Sequence, residues 1–360
     1  MLKIALIGCT GSIGRQVADV VRSHPDRFSF SALVAGHDRT ALSALKEEFR
    51  PKTAFCAEDG AQEGIFDDCD IAFIAAGGFS GLAYTLAAIK AGKKVALANK
   101  ESLVCGGELV MRAAKEAGVE IVPVDSEHSA IFQALSFRRD TPFKKLVLTA
   151  SGGPFLHCTE EELKSVTAKD ALRHPTWNMG AKITVDSATL LNKGYEIIEA
   201  KWLYSADFDR VSAVVHPESI VHSLVYFEDG AAIAQLGYPD MRVPIQLALT
   251  YPERLPCEKQ LDLEEIGALH FERLPIEKFP CFSLALQAGK SGGTHPTVLN
   301  AAAEVAVNAF LSGCITFPRI AETIGDALGK IPREEADCYE HLAQVDLLAR
   351  RHAHKFIYGK

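Results

Sequence analysis

Asn192, Lys193 and Glu196 fall within one turn of a single helical repeat, which puts an amide, an ammonium and a carboxylate on one face. Leu190, Leu191, Tyr195, Ile197, Ile198 and Trp202 set that repeat at three- and four-residue steps. Just ahead, Asp186-Ser187-Ala188-Thr189 reads as the helix start, because Asp and Ser accept hydrogen bonds from unpaired first-turn N–H groups. The combination points to an anion site beside a cation site; a helix with a solvated polar face is the bland alternative. A second chemical cluster is Pro123-Val124-Asp125-Ser126-Glu127-His128. Carboxylates two residues apart point to the same side of an extended chain. With Glu196, Asp125 and Glu127 would form a hard, all-oxygen site suited to Mg²⁺ or Mn²⁺, with positions left for water or substrate. His128 reads as an ordinary helix residue before it reads as a ligand.

These groups need a scaffold, and the first 125 residues supply one. Apolar runs at Ile4–Ile7, Phe30–Val34, Ile71–Ala75, Val95–Ala98 and Glu120–Val124 alternate with amphipathic stretches such as Gln16–Val21 and Leu82–Ala91. That alternation predicts an α/β fold with a parallel sheet and helices on both faces. Asp125 then stands at the carboxyl end of the fifth run, where open α/β sheets place their ligands. The first turn, Gly8-Cys9-Thr10-Gly11-Ser12-Ile13-Gly14, links the first strand to the first helix. Glycines there let the backbone approach a pyrophosphate, and the helix amino end offers N–H donors, so a dinucleotide is expected.

Further on, Leu146–Ala150 breaks into Ser151-Gly152-Gly153-Pro154, and Ala213–His216 and Ser223–Phe227 extend a second sheet. Thr159 and Glu162 form a capping box on a short helix. The polar segment from Ser-Gly-Gly-Pro to Trp177 and Met179 reads as a lid of about 152–181. From Phe279 the strands stop; Ser283–Ala288, Thr297–Leu311, Pro318–Leu328 and Glu334–His354 read as a helical bundle. The expected organisation is 1–124 for the cofactor, 125–250 for catalysis, a linker over 251–278, and helices over 279–360.

A net charge of −8 argues against a nucleic-acid or anionic-membrane partner. Nine cysteines without a C-x-x-C pair suit reduced thiols in the cytoplasm. The chain opens directly on a strand, leaving no room for a signal peptide, and no apolar run reaches the roughly 18 residues of a membrane helix.

GCTGSIG, LANKESLV, PVDSEHSAIFQ, SGGPF, RHPTWNMGAKITVDSATLLNKGYEIIEAKWL and HPESIVHSLV, followed by AQLGYPDMRVPI, occur in this order. Over nearly its whole length the chain resembles the 1-deoxy-D-xylulose 5-phosphate reductoisomerase family. The resemblance implies a Rossmann-like domain, an α+β catalytic domain with a flexible lid, and a C-terminal helical bundle. It also implies a cytoplasmic homodimer that uses NADPH and Mg²⁺ or Mn²⁺ on a phosphosugar, converting 1-deoxy-D-xylulose 5-phosphate to 2-C-methyl-D-erythritol 4-phosphate in the non-mevalonate isoprenoid route.

By the same resemblance Asp125, Glu127 and Glu196 hold the metal. Ser151, Ser187, Asn192 and Lys193 take the phosphate, His174 lies near the substrate on the lid, Trp177 closes over the site, and Ser126 and Lys100 touch the substrate's oxygens. Thr10, Gly11, Ser12, Ile13, Gly36, Asn99, Glu101 and Gly180 line the cofactor. One departure matters: Gly36 is followed by His37-Asp38-Arg39, where a basic residue and Asn are usual. An acidic residue after the second strand normally bonds the ribose 2′-hydroxyl of NAD, whereas a nearby Arg accommodates a 2′-phosphate. Asp38 and Arg39 therefore pull apart, and NADPH preference is expected to be narrower than in relatives. Two rival readings are a simple NADP-dependent dehydrogenase, which leaves the three carboxylates unexplained, and a non-catalytic dinucleotide sensor.

Overall fold

The computed structural model describes residues 1–60, 62–177, 179–257 and 259–359. Asn178, inside the expected lid, lies outside them. The chain forms two compact units, one of residues 1–102, 110–129 and 240–259, the other of residues 103–109, 130–239 and 260–360.

From the amino end β1 (Leu2–Ile7), α1 (Ser12–Ser23), β2 (Phe28–Ala35), α2 (Arg39–Phe49), β3 (Thr53–Cys56), β4 (Ile71–Ile74), α3 (Ser80–Lys90), β5 (Lys94–Leu97), α4 (Lys100–Ala117), β6 (Ile121–Pro123) and α5 (Ser126–Ala134) follow one another, all in the first unit except residues 103–109 of α4 and 130–134 of α5. All neighbouring strand pairs are parallel, in the order β3-β2-β1-β4-β5-β6. This is the doubly wound order of dinucleotide-binding folds, whose crevice opens where the order reverses. Ile4 to Ile7 and Ile71 to Ile74 are buried, which is why these runs are continuously apolar rather than alternating. Six strands form where five runs were expected. β3 is four residues at the sheet edge, half of them only partly buried, so it carries little periodic signal.

In the second unit β7 (Lys145–Ala150), α6 (Glu160–Leu163), α7 (Ala168–Ala171), α8 (Ala181–Ala188), α9 (Leu191–Tyr204), β8 (Val211–Val215), β9 (Val221–Tyr226) and β10 (Ala232–Leu236) come first. After α10 (Arg242–Thr250), which belongs to the first unit and packs on α1 there, come α11 (Leu263–Ile266), β11 (Glu272–Arg273), α12 (Pro280–Ser291), α13 (His295–Leu311), α14 (Phe317–Lys330) and α15 (Tyr339–Tyr358). The sheet is mixed, in the order β10-β9-β7-β8-β11, with β7 and β8 parallel. β10 and β11 carried no sequence signal, and α15 begins at Tyr339 rather than Glu334. The Thr159–Glu162 capping box forms, and Thr167 with Asp170 makes a second one.

Helix α9 packs on β7 and β8 as well as on α12, and Lys193, Glu196 and Glu199 are buried on it. A helix buried nearly all round must pair its charges internally. Two local expectations are corrected. Asp186-Ser187-Ala188-Thr189 is the carboxyl end of α8, not a helix start. Asp186 pairs with Lys182 one turn earlier, Nζ to Oδ2 at 2.7 Å. The break comes at Leu190, whose φ of 57° is left-handed, a conformation costing a non-glycine residue about 1–2 kcal/mol; its burial in the core holds it there. Asn192 and Lys193 thereby enter the first turn of α9, at the positive end of its dipole. Likewise Asp125 and Glu127 do not share an extended strand: Asp125 follows β6, and Glu127 sits in the first turn of α5.

Candidate functional site

In the first unit the loop from Gly8 to Gly14 joins β1 to α1. Gly8 has φ of +87°, and a Cβ there would lie 2.4 Å from the Ala75 carbonyl; one on Gly14 would lie 2.2 Å from the Gly8 carbonyl. Only glycine fits either position. Gly11 stands at the N-cap of α1 with no side chain capping the first turn, and Thr10, Ser12 and Ile13 are partly exposed around it. Such a turn is a cradle for a diphosphate.

Asn99 and Glu101 tie together the loops that follow β4 and β5. The Asn99 carbonyl accepts from Ser102 N at 2.9 Å, capping α4, and its amide donates to the carbonyls of Ala76 at 2.8 Å and Gly78 at 3.0 Å. Glu101 accepts from the Asn99 amide at 2.8 Å and from Gly78 N at 3.2 Å. Both are buried. Their contribution to a cofactor cleft is to hold the loops after β4 and β5 in register.

Gly36, His37, Asp38 and Arg39 are exposed after β2. Asp38 turns its carboxylate onto Ala41 N at 3.0 Å and caps α2, an interaction worth about 1 kcal/mol. Arg39 forks onto Asp59, at 3.0 and 2.6 Å. Asp59 follows β3, the strand that escaped the sequence pattern, so the pair could not be foreseen.

At the far side of the same sheet Lys100 Nζ lies 2.9 Å from Asp125 Oδ2, with both side chains mostly buried. Ser126 donates to Glu127 Oε2 at 2.6 Å.

In the second unit the carboxyl end of β7 organises two clusters. Ser151 Oγ lies 3.0 Å from His174 Nε2, which lies 3.2 Å from Ser187 Oγ. His174 Nδ1 accepts from the backbone N–H of Thr176 at 3.2 Å and of Trp177 at 2.9 Å. A nitrogen that accepts carries no proton, so Nε2 holds it and faces the two hydroxyls as a donor. Burial pushes the His174 imidazole down to about 4, which keeps it neutral near pH 7. Trp177 leans toward His222, ring centroids 6.3 Å apart, and Gly180 stands at the N-cap of α8.

The other cluster is Asn192, Lys193 and Glu196. Lys193 donates to the Thr149 carbonyl, two residues before Ser151, and to Glu196 Oε2. Asn192 donates to Glu196 Oε1 at 2.5 Å. The Lys193 and Glu196 side chains are 5% and 1% exposed, so this is a buried ion pair rather than a solvated face. Ser151, Ser187, Asn192, Lys193 and Glu196 are thus gathered by one strand end and two consecutive helices. Sequence reasoning missed Thr149, His222 and Lys182; only the histidine in HPESIVHS offered a visible signal.

The donor set suits the groups that a dinucleotide and a hard cation require. Asp125, Glu127 and Glu196 offer carboxylate oxygens alone, the preference of Mg²⁺ and Mn²⁺, and Asp125 and Glu196 each have a lysine partner.

Residues 4–65 and 55–107 match the family pattern of 1-deoxy-D-xylulose 5-phosphate reductoisomerase. Residues 121–204 match that described as its C-terminal domain, and residues 236–352 the DXP reductoisomerase C-terminal domain. A 1-deoxy-D-xylulose 5-phosphate reductoisomerase of Geobacillus sp. (strain WCH70) is 49% identical over 99% of this chain and 100% of its own length. That of Listeria monocytogenes serotype 4b (strain F2365) is 47% identical over 96% and 97%. Among solved structures, a DOX-P reductoisomerase in complex with NADPH, fosmidomycin and magnesium aligns with a TM-score of 0.94 at 38% identity, covering 99% of this chain and 98% of that one. The enzyme from Zymomonas mobilis in complex with NADPH aligns at 0.89 and 36% identity over the whole of both chains.

Proposed function

Because the chain belongs to the 1-deoxy-D-xylulose 5-phosphate reductoisomerase family, we propose that the residues gathered above carry that family's reaction. The enzyme is an NADPH- and divalent-metal-dependent oxidoreductase that converts 1-deoxy-D-xylulose 5-phosphate to 2-C-methyl-D-erythritol 4-phosphate. The observation that carries the assignment of residues is the buried Lys193–Glu196–Asn192 cluster beside the Ser151–His174–Ser187 cluster. One offers charge to an anion and a carboxylate to a cation; the other offers neutral donors.

Asp125, Glu127 and Glu196 hold the metal, which when bound polarises the substrate carbonyl and balances charge developing on the neighbouring oxygens. Lys100, already on Asp125, steadies that carboxylate and reaches a substrate oxygen alongside Ser126. The phosphate takes its counter-charge from Lys193 and from the amino end of α9, and hydrogen bonds from Ser151, Ser187, Asn192 and the protonated Nε2 of His174. Being neutral, His174 donates without adding charge. The phosphate is remote from the reacting carbons, so these contacts orient the substrate and favour closure of segment 152–181, with Trp177 excluding water.

Thr10, Gly11, Ser12, Ile13, Gly36, Asn99, Glu101 and Gly180 line the NADPH cleft, and NADPH supplies the hydride. We assign cofactor binding to residues 1–124 together with 240–259, which belong to the same compact unit rather than to a catalytic segment 125–250 and a linker 251–278, catalysis to 125–239 and support to 260–360. A homodimer and a cytoplasmic location complete the proposal. The nine cysteines, free thiols among the described residues, fit a reducing compartment, and no described helix is long and apolar enough to cross a membrane.

The test is NADPH oxidation with 1-deoxy-D-xylulose 5-phosphate, with EDTA and after Mg²⁺ is restored. Turnover should vanish and return; a rate that survives chelation would favour the plain dehydrogenase reading.

A further inference from the structure

A line of polar groups runs through three helices of the second unit, from the partly exposed Arg350 and Glu304 to the buried Asn300 and Tyr195, and ends beside Glu196. Tyr195, 1% exposed, donates its hydroxyl to Asn300 Oδ1 on α13 at 3.2 Å. Asn300 Nδ2 donates to Glu304 Oε1 at 3.1 Å. Glu304 Oε2 accepts from Arg350 Nη2 on α15 at 2.6 Å, and Arg350 also forks Asp346, at 2.6 and 3.1 Å. The carboxylate of Glu304 can only accept, so the Asn300 amide must turn its NH₂ that way and its carbonyl toward Tyr195. The direction of the whole line is therefore fixed from the ion pair inward.

On another side of the same turn the constraint is steric. A Cβ on Gly194 would lie 2.4 Å from the Cβ of Ala285 in α12, so α12 rests against bare backbone. Apolar contacts around a helix resist separation but are poor at fixing rotation, because the hydrophobic effect has no direction. A hydroxyl–amide hydrogen bond has one. Side-chain tips lie roughly 5–6 Å from a helix axis, so a turn of about 10° moves them about 1 Å. A displacement of that size can cost an active site on the order of a hundredfold in rate.

We infer that Tyr195 and Asn300 are positioning residues: the Tyr195–Asn300 bond, anchored through Glu304 to Arg350, fixes the rotation of α9 and so aims Glu196 and Asn192. The inference rests on the reading of Glu196 as a metal ligand. It also gives the C-terminal helices a part in the reaction, although they bring no reacting group to it.

Tyr195→Phe removes one hydroxyl and keeps the ring; Asn300→Leu removes the acceptor. Mn²⁺ binding to the metal-free protein is measured by titration calorimetry, alongside kcat, the KM for NADPH and the thermal midpoint. Each variant should bind Mn²⁺ about three- to tenfold more weakly and lose kcat at least as much, with the KM for NADPH within about twofold. Unchanged Mn²⁺ affinity and kcat in either folded variant would overturn the inference. So would losses spread equally over Mn²⁺ and NADPH, which mark general loosening. Should neither variant fold, Glu304→Gln keeps the acceptor but weakens the Arg350 anchor, and must show the same split to a smaller degree. Glu196→Gln separates the two ideas: if it binds Mn²⁺ like the wild type, the metal reading fails, and the kcat-against-NADPH split still decides the tether.

Discussion

Replacing Lys193 by Met tests the buried cluster directly, because Met fills a similar volume while removing the charge and the hydrogen bonds the ammonium donates. In the wild type the ammonium meets Glu196 and the Thr149 carbonyl, with the paired side chains 5% and 1% exposed. Deleting one member of such a pair leaves a buried charge uncompensated, at a cost of about 3–5 kcal/mol. For a chain of this size that corresponds to a fall in thermal midpoint of about 4–7 °C. A divalent cation bound at Glu196 should replace part of the lost ammonium. At a hundred times its dissociation constant, a ligand confined to the folded state contributes about 2.7 kcal/mol. Midpoints of wild type, Lys193→Met, Glu196→Gln and the double variant, each in EDTA and in saturating Mg²⁺, supply the comparison. Lys193→Met should be the least stable in EDTA, recover most with Mg²⁺, and be partly rescued in EDTA by adding Glu196→Gln. A midpoint within about 2 °C of wild type in EDTA, or no rescue in the double variant, would refute the reasoning.

Three other outcomes are expected. Glu196→Gln should keep NADPH binding and lose most turnover; near wild-type kcat at ordinary Mg²⁺ would remove Glu196 from the metal site. Arg39→Ala should raise the KM for NADPH while leaving NADH use nearly unchanged. Asp59→Asn, which releases the guanidinium from an exposed pair, should lower the KM for NADPH by no more than about fivefold; equal effects on both cofactors would show that neither residue reads the 2′-phosphate. His174 is held below its ordinary value by burial, down to about 4, so the unfolded chain takes up its proton first as pH falls. Stability from this group is full above about pH 6.5 and is lost as pH drops toward 4, so His174→Asn should flatten that part of the stability–pH curve; an unaltered slope would mean the imidazole is not buried as described.

The alternation of apolar runs made the parallel sheet legible, since strands buried on both faces leave continuous hydrophobic stretches. The glycine turn was legible because two of its positions tolerate no side chain. What stayed hidden is short or depends on distant partners. β3 has four residues, β11 has two, and neither shows a period. The boundary between α8 and α9 was misread because Asp186-Ser187 looks like a cap, while the residue that breaks the helix, Leu190, is one of the better helix formers. Its left-handed backbone is imposed by packing that no local pattern records. Asn192, Lys193 and Glu196 were readable as neighbours, but only their burial turned a polar face into a paired cluster.

Residues 240–259 complete the first unit from far along the chain: α10 packs on α1, His24 Nε2 lies 2.9 Å from Gln246 Oε1, and Arg27 pairs with Glu253. During synthesis the nucleotide-binding sheet therefore emerges more than a hundred residues before the piece that covers α1. Until that piece arrives, part of the apolar surface of α1 has no partner, and a ribosome-bound or truncated chain ending near residue 129 is a candidate for chaperone capture. A cofactor domain cut from this protein by a single truncation would inherit the same defect, whereas grafting residues 240–259 after residue 129 through a short linker restores what the order of the chain withholds.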